Sequence, residues 1–163
     1  MDISQLIKES LWNQMGASLD MLENAINMCP DEHWDTELNF WYSSFHCIFW
    51  TDYYLSLEPD HFTPPPPFTF SEFDPNGKKP ERTYTKGELL AYQQHCRQKA
   101  NHLITGLTPE ALSDRWINSR KNYSLLEILV YNIRHIQHHA AQLNLLLRQT
   151  IDNTPGWVSQ GKK

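Results

Sequence analysis

The sequence predicts an all-α domain, a bundle of four long helices interrupted by one long proline-rich connection. Apolar residues recur at spacings of three and four over long stretches, which lays a buried stripe along a helix. Three of these stretches open on a side-chain oxygen with Glu or Gln three residues later: Asp2 with Gln5, Thr85 with Glu88, and Ser124 with Glu127. That pattern satisfies the free amides of a helix start. No stretch offers a strand with a partner, and unpaired strand backbone is costly to bury.

In the first helix, residues 3–28, the stripe is Ile7, Leu11, Met15, Ser18, Leu22 and Ala25, and Pro30 bars continuation. The second segment, residues 40–56, is densely aromatic and shows neither clean alternation nor a clean helical stripe, so taken alone it reads equally as a strand. It is assigned as helix because a lone strand would have no partner in the chain. The third helix begins at Thr85, carries Leu89, Tyr92, Cys96, Ala100, Leu103 and Leu107 at helical spacing, and ends near Gly106. Thr108 and Pro109 then open a short helical turn through Ser113. The last helix, residues 125–150, has two apolar faces. One is Leu129, Ile133, Ile136, Ala140, Leu143 and Leu147; the other is Ile128, Tyr131, His135, His139, Gln142 and Leu146. A helix buried on two sides suits the interior of a bundle.

Residues 58–84 hold seven of the ten prolines, including the run Pro64 to Pro67, and so exclude long helix or central strand. Phe62, Phe68, Phe70 and Phe73 predict that this connection packs back onto the helices. Residues 152–163 read as a loose tail with Trp157 docked.

At 163 residues and 19.2 kDa the chain fits one domain, residues 1–151, followed by that tail. Fourteen Lys+Arg against nineteen Asp+Glu give a net charge of −5. An acidic chain with only scattered basic residues (Arg97 and Lys99; Arg115, Arg120 and Lys121) argues against nucleic acid as a partner. The start MDISQLIKES lacks the pattern of a secretory signal, and no apolar run approaches the ~18 residues that span a bilayer. A soluble, cytoplasmic domain with no membrane partner is expected. Cys29, Cys47 and Cys96 form no CxxC pair and read as small buried hydrophobes.

Eight histidines are many for this length. His135 and His139 stand four apart, so on a helix both imidazoles project from one face and can reach a single ion. They interrupt an apolar stripe, and buried imidazoles need partners. A cation would satisfy both, with His46 in the aromatic segment as the third ligand. The alternatives are solvated imidazoles for the pair and a hydrogen-bonded core histidine for His46. His138, three from His135, competes with His139; Gln142 and Leu146 continue the face of His139, which favours the latter. His95 and His102 lie at the edge of the third helix's stripe and read as surface. His33 and His61 fall in connections and carry no specific signal.

A long first helix, a histidine in the middle of the second (SSFHCIFW), the CPDEHW turn at 29–34 and HxxxHxAQL from His135 to Leu143 together resemble the DinB/YfiT-like superfamily. The resemblance implies an up-down-down-up four-helix bundle, often a homodimer, with a divalent metal ion held by His46, His135 and His139. The proline-rich connection departs from the common pattern and stands where it can cover the metal pocket. The family includes metal-dependent hydrolases and thiol-dependent transferases, which implies a small-molecule substrate, zinc or nickel as the ion, and a low-molecular-weight thiol as co-substrate.

Three neutral histidines leave a coordination position open, and such an ion lowers the pKa of bound water or binds a thiol as thiolate. Asp52, Tyr53, Tyr131 and Gln142 are candidates to assist near the pocket, but no spacing assigns a general base. Phe45, Phe49, Trp50 and Tyr53 would wall the pocket for an apolar or planar group, or simply pack the core. The two competing readings are a non-catalytic, stress-related module that binds metal or a small ligand, and a plain structural bundle.

Overall fold

A computed structural model describes residues 3–162. It is mainly helical: α1 (Ile3–Met28), the single turn α2 (Asp31–Trp34), α3 (Phe40–Tyr54), α4 (Lys86–Gly106) and α5 (Leu125–Ile151). The four long helices pack in a cycle in which α1 and α3 each lie against both α4 and α5. No described helix is long and apolar enough to cross a membrane.

Cap chemistry sets the starts of α4 and α5. Thr85 accepts the Glu88 amide while Glu88 accepts the Thr85 amide, a closed capping box. Ser124 Oγ accepts the Glu127 amide at 3.1 Å. The Asp2 cap expected on α1 lies outside the described residues. Most of each stripe is buried: Leu11, Met15, Ser18, Leu22 and Ala25 of α1, and Leu89, Tyr92, Cys96 and Ala100 of α4, whereas Ile7 and Leu103 are half-buried and Ile104 takes the core position beside Leu103.

α3 ends two residues earlier than expected, and its missing stripe has a physical cause. Phe40, Trp41, Ser44, Phe45, Cys47, Ile48, Phe49, Thr51, Asp52, Tyr53 and Tyr54 are all buried, spread around the helix. The proline-rich segment supplies part of this cover. Phe68 stacks on Phe45 and Tyr92, with centroids 6.0 and 4.3 Å away, and Phe73 packs against Phe49, Trp50 and Tyr53. Of the four connection phenylalanines, Phe62 and Phe68 are buried, whereas Phe70 and Phe73 keep 48% and 41% of their surface. Two single 3₁₀ turns, Pro59–His61 and Phe70–Phe73, punctuate the connection.

Two expectations need correction. The chain does contain strands: β1 (Arg115–Ile117) and β2 (Asn122–Ser124) pair antiparallel, with Trp116 opposite Tyr123. Asn118 Oδ1 accepts the amides of Arg120 and Lys121 and so folds the turn. Trp116 anchors the ribbon by donating to Ser56 O at 2.8 Å. Three-residue strands are too short to show alternation, so the ribbon leaves no periodic trace.

The tail is not loose, and Trp157 is not its anchor, since it keeps 73% of its surface. The tail instead crosses α1 where two glycines meet. The Gly161 amide donates to Asn13 O at 2.9 Å and the Lys162 amide to Asp20 Oδ2 at 3.1 Å. A Cβ on Gly161 would stand 2.6 Å from Gly16 Cα and 2.8 Å from the Ala17 nitrogen, backbone atoms that cannot yield. Gly161→Ala is therefore expected to lift the tail from α1 with little change in the helical core. Amide exchange should show loss of protection confined to residues 158–162, and unchanged protection there would refute the close-approach argument.

Candidate functional site

α3 and α5 pack side by side, and their contact brings three imidazoles together. His46 projects from α3, while His135 and His139 project from successive turns of one face of α5. Ring centroids lie 4.8 Å apart for His46 and His139, 4.7 Å for His135 and His139, and 6.1 Å for His46 and His135. His138 touches His139 at 5.1 Å but is exposed. Of the two candidates competing for the second place on α5, His139 is the half-buried one whose ring lies beside those of His46 and His135.

Two of the rings already have a hydrogen-bond partner. His135 Nε2 lies 3.2 Å from Cys47 O; a carbonyl only accepts, so Nε2 carries the hydrogen. His46 Nδ1 lies 2.6 Å from Glu72 Oε2, which also accepts the Trp50 indole N–H at 2.8 Å. With these side chains as they stand, no group of three or more His, Cys, Asp or Glu among the described residues is arranged to hold a metal ion. The rings are neighbours whose nitrogens do not converge on one point.

Burial sets the electrostatics. It pushes the His135 pKa down to about 3, with His139 acting in the same direction, and that of His139 down to about 4, with His46 and His138 adding to it. Both imidazoles are neutral nitrogen donors at neutral pH. Burial alone would raise the Glu72 carboxyl, but the hydrogen bond and charge of His46, helped by Trp50 and Tyr42, outweigh it and hold the group below its usual range. Desolvation, with the Glu72 charge beside it, raises Tyr42 to about 12.

The remaining candidates disperse. Asp52 points into a different polar cluster, accepting from the Tyr92 hydroxyl at 2.9 Å and from Lys99 Nζ at 2.6 Å. Tyr53 is packed among Phe62, Phe73 and Trp116, and its hydroxyl accepts from Asn118. Tyr131 meets Tyr54, whose ring in turn lies 5.6 Å from His135. Gln142 is exposed beside His139. Of the proposed aromatic wall, Trp50 meets the His46 ring, at 6.3 Å, whereas Phe45 and Phe49 face the proline-rich segment and the core. His61 pairs with Glu58 in the open, and His95 and His102 are exposed.

The residues that sequence reasoning missed are Glu72, Tyr42 and Tyr54. Glu72 had one faint signal, a lone carboxylate between Phe70 and Phe73 in a segment already expected to pack inward. Its side chain is only 4% exposed, and its Oε1 has no hydrogen-bond partner.

Residues 14–143 match the family model of the DinB superfamily. No curated protein and no solved structure matches the chain.

Proposed function

The chain belongs to the DinB superfamily, and on that premise we propose that it is an up-down-down-up four-helix bundle whose His46, His135 and His139 hold one divalent metal ion, zinc or nickel. The proposed activity is metal-dependent hydrolysis or thiol-dependent S-transfer on a small molecule, with a low-molecular-weight thiol as co-substrate in the second case. The cytoplasm and a homodimeric state complete the proposal. Light scattering on the purified chain tests the homodimer.

One observation carries the reading. A buried carboxylate, Glu72, stands against the imidazole cluster, in which His135 and His139 are neutral, and among the described residues its ion-pair neighbour is His46, with no lysine or arginine beside it. Burying an anion is costly unless a positive charge lies close. An ion among the three rings would supply that charge, and the donor set suits one, since neutral imidazole is a preferred ligand of zinc and nickel. For His135 to aim Nε2 at such an ion it must leave Cys47 O. That carbonyl keeps a second donor, Thr51 Oγ1 at 2.7 Å, so the exchange strands no buried group. Bound there, the ion would act as a Lewis acid and make a nucleophile available at neutral pH.

The engagement of Asp52 by Tyr92 and Lys99 favours a second reading. It removes one of the side chains considered as a general base and leaves a non-catalytic, stress-related module that holds metal or a small ligand. Metal analysis of protein purified without a histidine tag, followed by ester-hydrolysis and thiol-transfer screens with and without added ion, separates the cases. About one ion per chain with ion-dependent turnover supports the enzyme. Binding without turnover supports the module, and absence of uptake leaves a plain structural bundle.

A further inference from the structure

The proline-rich connection carries Glu72 to the histidine cluster, and the way it does so has a function of its own. We infer that Glu72 is the positioning residue of the candidate centre: its carboxylate holds His46 in the Nδ1–H form and leaves Nε2 as the one lone pair that ring can offer an ion. This rests on the three-histidine reading and adds to it a residue outside the ligand set.

An ionised carboxylate has no hydrogen to give, so the His46 nitrogen 2.6 Å from Oε2 must carry one. With Nδ1 turned to the carboxylate and its hydrogen directed there, Nε2 is the ring nitrogen left to face an ion. Ligating histidines characteristically donate their other N–H to a carboxylate or carbonyl, which orients the ring and raises its basicity.

The carboxylate is itself fixed. Oε2 accepts a second hydrogen bond, from Trp50 at 2.8 Å, and the 3₁₀ turn carrying Glu72 is held by Phe73 against Phe49, Trp50 and Tyr53, with centroids 5.2, 5.4 and 5.2 Å away. A side chain that served only to tie the connection down would gain nothing from a buried negative charge, and Oε1 makes no hydrogen bond at all. Anchorage of that kind needs only a neutral acceptor. The charge has a use where a cation binds one imidazole away.

The test uses the full chain, ¹⁵N-labelled at histidine, with Glu72→Gln and Glu72→Ala. Long-range ¹H–¹⁵N spectra of ion-free protein are expected to show His46 as the neutral Nδ1–H tautomer in the parent and a shift toward a mixed population in both variants. Co²⁺ affinity, read by competition against a chromophoric chelator, is expected to fall roughly 10- to 100-fold in both, as loss of an outer partner does elsewhere. Glu72→Gln keeps the shape of the side chain, so it serves if Glu72→Ala fails to fold. His46 protonated on both nitrogens, or on Nε2 alone, overturns the inference. Parent-like affinity in the variants overturns it while leaving the three-histidine reading standing. A parent chain that takes up no Co²⁺ defeats both.

Discussion

Zinc or nickel bound by the parent chain is expected to be lost from His46→Ala, His135→Ala and His139→Ala, and retained by His138→Ala. Each of the first three removes one nitrogen from a set of three. Affinity should therefore fall by more than the roughly 100-fold that marks the upper end for loss of an outer partner. His138→Ala supplies the control, because its side chain is exposed although its ring touches that of His139. Loss of uptake in that variant instead of in His139→Ala would put His138 in the place of His139. Folding is read alongside: truncating His135 leaves Cys47 O with its Thr51 donor, whereas truncating His46 leaves the buried Glu72 carboxylate with the Trp50 indole as its donor, so His135→Ala and His139→Ala carry the comparison if His46→Ala is destabilised. Metal content per chain, with circular dichroism alongside, reads the result. One ion per chain in all three alanine variants would end the three-histidine proposal.

The parts of this molecule that could be read in advance are those whose cause is local. Thr85 and Ser124 mark helix starts because a cap acts within three residues, and both caps stand where the spacing put them. The pairing of His135 with His139 is equally local, one turn of helix apart. His46 required one more step, that its segment be helical, which the want of a strand partner supplied, and that it lie beside α5, which the DinB resemblance implied. What escaped depends on distant contacts. The amphipathic signature of α3 is erased by a segment that covers its outer side. Gly161 reaches Gly16 across nearly the whole chain, and Glu72 reaches His46 only because Phe73 seats the turn that carries it. No spacing rule connects such pairs, since flexible connections of any length can close them. Asp52 failed as a site candidate for the complementary reason: proximity in sequence to His46 places it on another side of the same helix.

Asp52→Ala is expected to destabilise the fold by about 3 kcal/mol, near the range measured when one partner of a buried ion pair is removed. The carboxylate is 1% exposed and ties α3 to α4. Its Oδ2 accepts from Tyr92, a hydroxyl buried in the core, and its Oδ1 accepts from Lys99, whose ammonium also donates to Asp52 O and to Ser56 Oγ. Alanine strands the Tyr92 hydroxyl, at about 1–3 kcal/mol for an unpaired buried donor. Lys99 recovers part of its loss, because its side chain is 30% exposed and can turn to water. Asp52→Asn keeps an acceptor for Tyr92 and should therefore cost less than alanine. Urea unfolding, with the midpoint falling at constant slope, measures both. The same variants discriminate between roles. A structural Asp52 predicts unchanged ion uptake and, where turnover exists, rates that track the folded fraction. Turnover abolished in a variant of parent-like stability would instead return Asp52 to the chemistry and require α3 to present it toward His46.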